Sequence, residues 1–205
     1  MFAGHEPQQL PITDGELRLW HQVDLGEDCA QLLAGLIAES AWRQEEITVY
    51  GKAYRQPRLC AWYGDLGYSY SGIRLQPEPW TATLQALRQR VETLTGHGFN
   101  SVLLNYYRDH NDRMGMHSDN EKELGPQPVI ASLSLGEARN FLLRHKTRKD
   151  LSIKLPLPAG SLLLMSGDLQ RHWRHGINAQ RPACGARINL TFRRIIPQPG
   201  RGTTQ

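Results

Sequence analysis

The sequence predicts an α+β chain that is mainly β: a double-stranded β-helix, or cupin-like jelly roll, preceded by helices. Three observations predict it. From residue 101 onward the chain reads as short strand-length runs punctuated by Gly136, Gly160 and Gly167. Regularly spaced short strands build sandwiches or barrels, and the jelly roll is a two-sheet form that manages its edges. Two earlier stretches, 28–39 and 80–94, repeat apolar residues at helical spacing instead. Finally, His117-Ser118-Asp119 and a distant histidine would meet at the mouth of such a fold. One domain spanning 1–205 is expected, with helices in about 1–100 and the jelly-roll core in about 101–196.

The elements follow in order. Residues 1–15 are polar, contain Pro7, Pro11 and Gly15, and are expected to be loose. Residues 17–25 can hold a short strand. Leu32, Leu33, Leu36 and Ile37 form one apolar stripe, so 28–39 is a core-facing helix. Over 46–55, Ile47, Val49 and Ala53 bracket Gly51-Lys52, which reads as a hairpin with Tyr50 at or near its tip. Residues 63–72 gather Tyr63, Tyr68 and Tyr70 among Gly and Ser; packing against the sheet or half exposure is the plain reading of such tyrosines, and an aromatic lid the sharper one. Trp80, Leu84, Leu87, Val91 and Leu94 mark a second core helix, with Pro79 before it and Gly96 after it as start and stop signals. Strands are then expected at 101–107, 129–135, 139–145, 151–157, 161–166, 171–177 and 186–194.

Composition narrows the class. A formal charge of +4 and an isoelectric point near 9.1 suit a polyanionic partner without requiring one. Cys29, Cys60 and Cys184 are scattered and form no Cys-x-x-Cys, so a disulfide framework is not expected and a reducing compartment fits. There is no basic-then-apolar leader pattern in residues 1–11, and no apolar run approaches the ~18 residues of a membrane span. A cytoplasmic protein with no membrane partner is expected, and monomer is the default.

The chemistry sits in two motifs. On a strand, residues two apart share a face, so His117 and Asp119 can grip one ion while Ser118 turns away. A second histidine must come from another strand, and spacing alone allows His172 or His175. Two histidines and one aspartate are the ligand set that holds non-heme Fe(II) and leaves positions open. Alone, a His-x-Asp triplet is a weak signal in a chain with eight histidines. The second motif is Arg187-Ile188-Asn189-Leu190-Thr191-Phe192-Arg193. As a strand it places Arg187, Asn189, Thr191 and Arg193 on one face and the apolar residues on the other. Guanidinium forks pair bidentately with carboxylates, so the polar face suits a small dianionic acid; a solvated edge strand is the plain alternative. Together, an open Fe(II) site beside a carboxylate clamp implies a 2-oxoglutarate-dependent oxygenase.

These pieces, with Asn105-Tyr106-Tyr107, Trp173-Arg174-His175-Gly176, Tyr63-Gly64-Asp65 and Phe99-Asn100-Ser101-Val102-Leu103, resemble the AlkB family of oxidative nucleic-acid demethylases. The likeness runs through 46–195 and is closest to the members that repair DNA. It implies that His117, Asp119 and His175 bind Fe(II) as the catalytic centre. It implies that Arg187 and Arg193 hold the two ends of 2-oxoglutarate, that Asn105, Tyr107 and Asn189 add hydrogen bonds to it, and that O2 is the other co-substrate. The implied substrate is DNA with alkylated bases, N1-methyladenine and N3-methylcytosine, single- or double-stranded. Decarboxylation of 2-oxoglutarate is coupled to hydroxylation of the methyl group, which leaves as formaldehyde. RNA is the alternative substrate, and a catalytically silent nucleic-acid-binding module is the reading from another class.

Chemistry on a base requires the base to leave its stack. The resemblance accordingly implies a nucleotide-recognition lid bearing Tyr68, Tyr70 and Ser71, an aromatic wedge at Tyr50, and an acidic base contact at Glu121. Asn120 departs from the pattern, because the DNA-repairing members often carry an acid there. The basic run Arg139, Arg144, His145, Lys146, Arg148 and Lys149 reads either as a solvated hairpin or, in this context, as a phosphate-contacting stretch.

Overall fold

The computed structural model describes residues 6–49, 52–66, 68–70, 73–75 and 77–197. Short strands β1 (Gln8–Leu10) and β2 (Glu16–Trp20) lead to helix α1 (Cys29–Glu39). Then come β3 (Glu46–Val49), β4 (Lys52–Arg55), β5 (Leu59–Gly64), β6 (Tyr68–Tyr70), β7 (Ile73–Leu75) and helix α2 (Ala82–Thr95). The second half runs β8 (Ser101–Tyr107), β9 (Met114–His117), β10 (Ile130–Gly136), β11 (Arg139–His145), β12 (Ser152–Leu157) and β13 (Leu162–Ser166). A single helical turn, α3 (Leu169–His172), precedes β14 (Trp173–Ile177) and β15 (Arg187–Arg193).

The larger sheet is ordered β1-β2-β13-β10-β15-β8-β5 and the smaller β12-β11-β14-β9, with antiparallel pairing throughout. From β8 to β15 the chain alternates between the two sheets, apart from the β11–β12 hairpin. This is the jelly roll that the strand spacing predicts. Two short hairpins, β3–β4 and β6–β7, stand outside both sheets.

Both helices form as their stripes predict, and both are capped. Asp28 accepts from the N–H groups of Ala30 and Gln31, and Thr81 accepts from that of Leu84. Gly96 ends α2 in the left-handed region at φ 73°. Leu32 and Leu36 of α1 and Leu84, Leu87 and Val91 of α2 pack in one core with Leu104, Leu133, Leu164, Ile188, Leu190 and Phe192. A second core joins the two sheets through Leu19, Tyr107, Ile130, Phe141, Leu163 and Trp173. β15 is therefore two-faced: its apolar residues support the helices and its polar residues point between the sheets. It is also central, so the solvated-edge alternative does not hold; all seven of its residues are buried.

Several expectations are corrected. Residues 1–15 are not wholly loose, since Gln8, Gln9 and Leu10 pair with Leu19, Arg18 and Leu17. A three-residue strand is too short to show a period. β5 was not expected, and it takes Tyr63 out of the lid: this side chain is buried in the core, and its hydroxyl accepts from the Ala41 N–H at 2.9 Å. Of the segment 171–177, Arg171 and His172 end the helical turn and Trp173–Ile177 form the strand. The larger sheet crosses the expected division near residue 100, drawing β1, β2 and β5 from the first half. Among the described residues no helix is long and apolar enough to cross a membrane.

Candidate active site

Strand register assembles the polar interior. Asn189 of β15 lies opposite Asn105 of β8 and Ser134 of β10, and Arg187 lies opposite Tyr107. Residues opposite one another share a face, so Asn105, Tyr107, Arg187, Asn189, Thr191 and Ser132 line one cavity with His117, Asp119, His175 and Arg193. On the smaller sheet, His175 pairs directly with His117 across β14 and β9, beside a β-bulge between His175 and Ile177. Gly176 allows this approach: a Cβ there would meet the carbonyl oxygens of Met114 and Gly115 at 2.8 and 3.0 Å. Asp119 does not share a strand with His117. β9 ends at His117, and Asp119 sits beyond it in a loop.

The three side chains nevertheless converge. One candidate ligand atom from each lies within 4.8 Å of the others. His117 Nε2 is 3.8 Å from Asp119 Oδ1, and His175 Nε2 is 3.6 Å from Asp119 Oδ2. The Gly115 carbonyl lies 2.9 Å from His117 Nδ1. A carbonyl can only accept, so Nδ1 carries the proton and Nε2 presents a lone pair to the cluster. His175 is held neutral, its pKa pushed down to about 3 by burial first and by His117 next. Burial alone would raise the Asp119 carboxyl, but the Arg193 guanidinium and the two imidazoles outweigh it and hold it below the usual range. Arg193 Nη2 donates to Asp119 Oδ1 at 2.8 Å, while Asp119 Oδ2 is buried with no hydrogen-bond partner. Two imidazoles and a carboxylate, facing one another around an unsatisfied buried oxygen, fit a divalent cation.

Next to the cluster, Arg187 is wholly buried, and it is a cation with no acidic partner among the described residues. Its Nη2 donates to Ser134 Oγ at 2.9 Å, and its Nε and Nη1 have no protein partner. Burial lowers its pKa to about 10, so it stays charged at neutral pH. Its guanidinium lies over the Tyr107 ring, 5.3 Å from the centroid. Asn105 Oδ1 accepts from Arg58 Nε at 2.9 Å, which turns the amide so that Nδ2 is left to donate. These donors and the cation fit a small dicarboxylate. A dication and a dianion added together leave the net charge of the cavity unchanged.

Other predicted residues fall elsewhere. Asn189 lines the cavity, but its Nδ2 donates to Ser132 Oγ at 2.7 Å and Leu133 O at 3.1 Å, so as placed it offers a carboxylate no hydrogen. Glu121 precedes a 3-10 turn at Lys122–Leu124, with Oε2 buried and unpartnered, and it is not among the residues lining either cavity beside the cluster. Tyr50 and Ser71 lie outside the described residues. Tyr68 and Tyr70 fall on β6, of which only the backbone is described. The basic run divides. Arg139 is buried, donating to the carbonyls of Asp109, Asp112 and Asn178, and His145 is buried too. Arg144, Lys146, Arg148 and Lys149 are exposed, and Arg144 lies opposite exposed Arg174.

Sequence reasoning missed part of the surroundings. Phe141 stacks on His175 at 5.2 Å, and Met114 lines the cavity. A larger cavity opens alongside, lined by Arg43, Arg58, Cys60, Trp62, Leu103 and Ile195 among others. Met114, Asp119 and Arg193 line both cavities. β5 reads Leu59-Cys60-Ala61-Trp62-Tyr63 without polar alternation, so no local pattern marked Cys60 and Trp62; pairing with Asn105 and Leu103 places them.

Residues 17–193 match the family described as the 2OG-Fe(II) oxygenase superfamily. The chain is 42% identical over 191 residues to alpha-ketoglutarate-dependent dioxygenase alkB homolog 3 of Rattus norvegicus, covering 86% of this chain and 63% of that protein. It is 42% identical over 159 residues to DNA oxidative demethylase ALKBH2 of Homo sapiens, covering 73% of this chain and 61% of that protein. Against ALKBH2 of Mus musculus it is 41% identical over 161 residues, covering 74% of this chain and 67% of that protein. The chain thus spans a little under two thirds of the first of these relatives. The solved structure of OsALKBH1 superposes with a TM-score of 0.62 at 17% identity, covering 91% of this chain and all 100% of that one. A prolyl hydroxylase from Trichoplax adhaerens gives 0.59 at 17% identity, covering 89% of this chain and 84% of that one. At such identities these two speak for the fold alone.

Proposed function

The chain belongs to the 2OG-Fe(II) oxygenase superfamily and, within it, to the AlkB family, and from this premise we propose that it is an oxidative demethylase of N-alkylated bases in DNA. N1-methyladenine and N3-methylcytosine are the proposed lesions. The observation that carries this reading is the small cavity holding His117, Asp119, His175 and Arg187, which shares a wall with a larger one.

In this reading His117, Asp119 and His175 hold Fe(II). Arg187, with the Tyr107 hydroxyl and Asn105 Nδ2, takes one carboxylate of 2-oxoglutarate, and Arg193 faces its other end. Bound Fe(II) supplies the activation of O2, with 2-oxoglutarate decarboxylating to succinate, that oxidises an N-methyl carbon to a hydroxymethyl group, which then leaves as formaldehyde. The protein's part is placement. The larger cavity takes an extruded base, and the wall of Met114, Asp119 and Arg193 brings its methyl group beside the ligand cluster. Phe141 and Tyr107 keep the small cavity lined with rings. Tyr50 acts as the wedge left in the stack, and Tyr68, Tyr70 and Ser71 close over the base. The exposed Arg144, Lys146, Arg148, Lys149 and Arg174 bind phosphate, which adds affinity without sequence preference.

The test presents one lesion in single-stranded DNA, duplex DNA and RNA, with Fe(II), 2-oxoglutarate and O2. Formaldehyde and the unmethylated base are expected from DNA. Turnover confined to RNA moves the substrate, and no formaldehyde from any alkylated nucleic acid sinks the reading.

A further inference from the structure

Asp119 lies past the last residue of β9, so no strand ladder holds its backbone. Its N–H donates instead to Gln170 Oε1, at 3.0 Å in the buried interior. Gln170 is itself only 1% exposed, and it sits in α3, the turn that leads into the strand bearing His175. We infer that Gln170 is a positioning residue for the metal centre, fixing Asp119 relative to His175. This inference rests on the metal-site reading above.

The geometry supports a specific role rather than general packing. A backbone N–H can only donate, so the Gln170 amide must present its oxygen to Asp119. Its Nε2 is then turned toward Met165 Sδ at 3.8 Å, a weak acceptor that adds little. The strong partner of this buried amide is thus the candidate ligand itself. The turn is secured from outside, where Lys146 Nζ donates to the Gln170 carbonyl at 2.8 Å. A second strap runs in parallel: Ser118 Oγ donates to the Trp173 carbonyl at 2.7 Å. The loop bearing Asp119 is therefore fastened at two points to the segment just before His175. Gln170 lines neither cavity, so it acts through Asp119 and not on a co-substrate or base. Partners one step behind a ligand commonly set metal affinity by 10- to 100-fold.

The probe is Mn(II) alone, titrated calorimetrically into metal-free protein. Gln170→Leu is expected to weaken Mn(II) binding by roughly 10- to 100-fold, while Gln170→Glu, which keeps an acceptor for the Asp119 N–H, stays within a few-fold of wild type. Gln170→Met, closer in length, carries the test if the leucine variant does not fold. A folded leucine or methionine variant that binds Mn(II) as wild type does overturns the inference, and so does a glutamate variant as weak as leucine. Asp119→Ala separates the two claims. If wild type fails to bind Mn(II), or Asp119→Ala binds it equally, the metal-site reading falls; if both controls behave, an unchanged Gln170 variant removes only the role of Gln170.

Discussion

Two clusters of two histidines and an aspartate each place one histidine on the paired strands β11 and β14, one inward-facing step apart. Across β11 and β14, Leu143 pairs with His175 of the first cluster, and His145 of the second pairs with Trp173. In both clusters, His117/Asp119/His175 and Asp14/His145/His172, one candidate ligand atom per residue lies within 4.8 Å of the others. By residue type and distance they are equivalent; by hydrogen bonding they are opposites. In the first, a carbonyl takes the His117 Nδ1 proton, and Asp119 Oδ2 has no partner. In the second, the backbone N–H groups of Arg148 and Thr147 point at His145 Nδ1 from 3.0 and 3.3 Å. Nδ1 must accept, so Nε2 carries the proton and donates to Asp14 Oδ2 at 3.2 Å. His172 merely stacks, 5.8 Å from His145 with planes 17° apart. The first cluster leaves lone pairs unengaged, whereas in the second both ring nitrogens of the central His145 are already engaged. The second is a tie that fastens the N-terminal segment to the sandwich, alongside the Trp173 Nε1 bond to the Thr13 carbonyl at 2.8 Å.

The largest expected effect tests the first cluster. Wild type is expected to bind a single divalent ion per chain by elemental analysis after Mn(II) loading, and Asp119→Ala none, with formaldehyde release below detection. At a ligand concentration 100 times Kd, binding stabilises by about 2.7 kcal/mol, or roughly 5–10 °C in Tm for a chain of this size. That shift should vanish in Asp119→Ala. Two ions per chain would break the contrast outright.

Legibility followed the length of the pattern. The seven-residue alternation of 187–193 announced a strand with a polar face, and the structure buries that face beside the ligand cluster. The stripes of α1 and α2 announced core helices, and both lie on the larger sheet. β1 and β9 are too short to carry a period, and the bulge on β9 disrupts what period remains. Spacing brought His117 and Asp119 together for a partly wrong local reason, since Asp119 has left the strand. It could not choose between His172 and His175, because the boundary that leaves His172 in a helical turn and His175 at an inward strand position has no mark in the local pattern. Arg139 read as a surface cation; its carbonyl partners come from Asp109, Asp112 and Asn178, distant segments that no local pattern reveals.

The next effect sharpens the electrostatic side. The His175 pKa falls from 6.5 to about 3 in the folded protein. Between those values the unfolded chain binds a proton that the folded one refuses, so stability from this group is full above the unfolded pKa and is lost as pH drops toward 3. The Asp119 carboxyl, also lowered, acts in the same direction at more acid pH. Urea midpoints of metal-free protein should therefore fall from pH 7 to pH 4. His175→Gln should flatten that slope, and an unchanged slope would show that His175 does not titrate as its burial requires.

The smallest effect addresses the tie. His145 has a side chain only 2% exposed and meets the Trp173 ring edge-on, with centroids 5.1 Å apart. His145→Ala would remove an acceptor from two backbone N–H groups and a donor from Asp14, besides the ring contact. Losses of this kind cost about 1–3 kcal/mol. Because both His145 nitrogens are already engaged, the metal content and the Mn(II) affinity of the folded variant should equal those of wild type. The two readouts must separate: a lower urea midpoint with unchanged ion stoichiometry supports a purely structural tie. A His145→Ala protein that loses an ion along with stability would make the second cluster a metal site, and would show that the hydrogen-bond inventory is the wrong criterion for telling the pair apart.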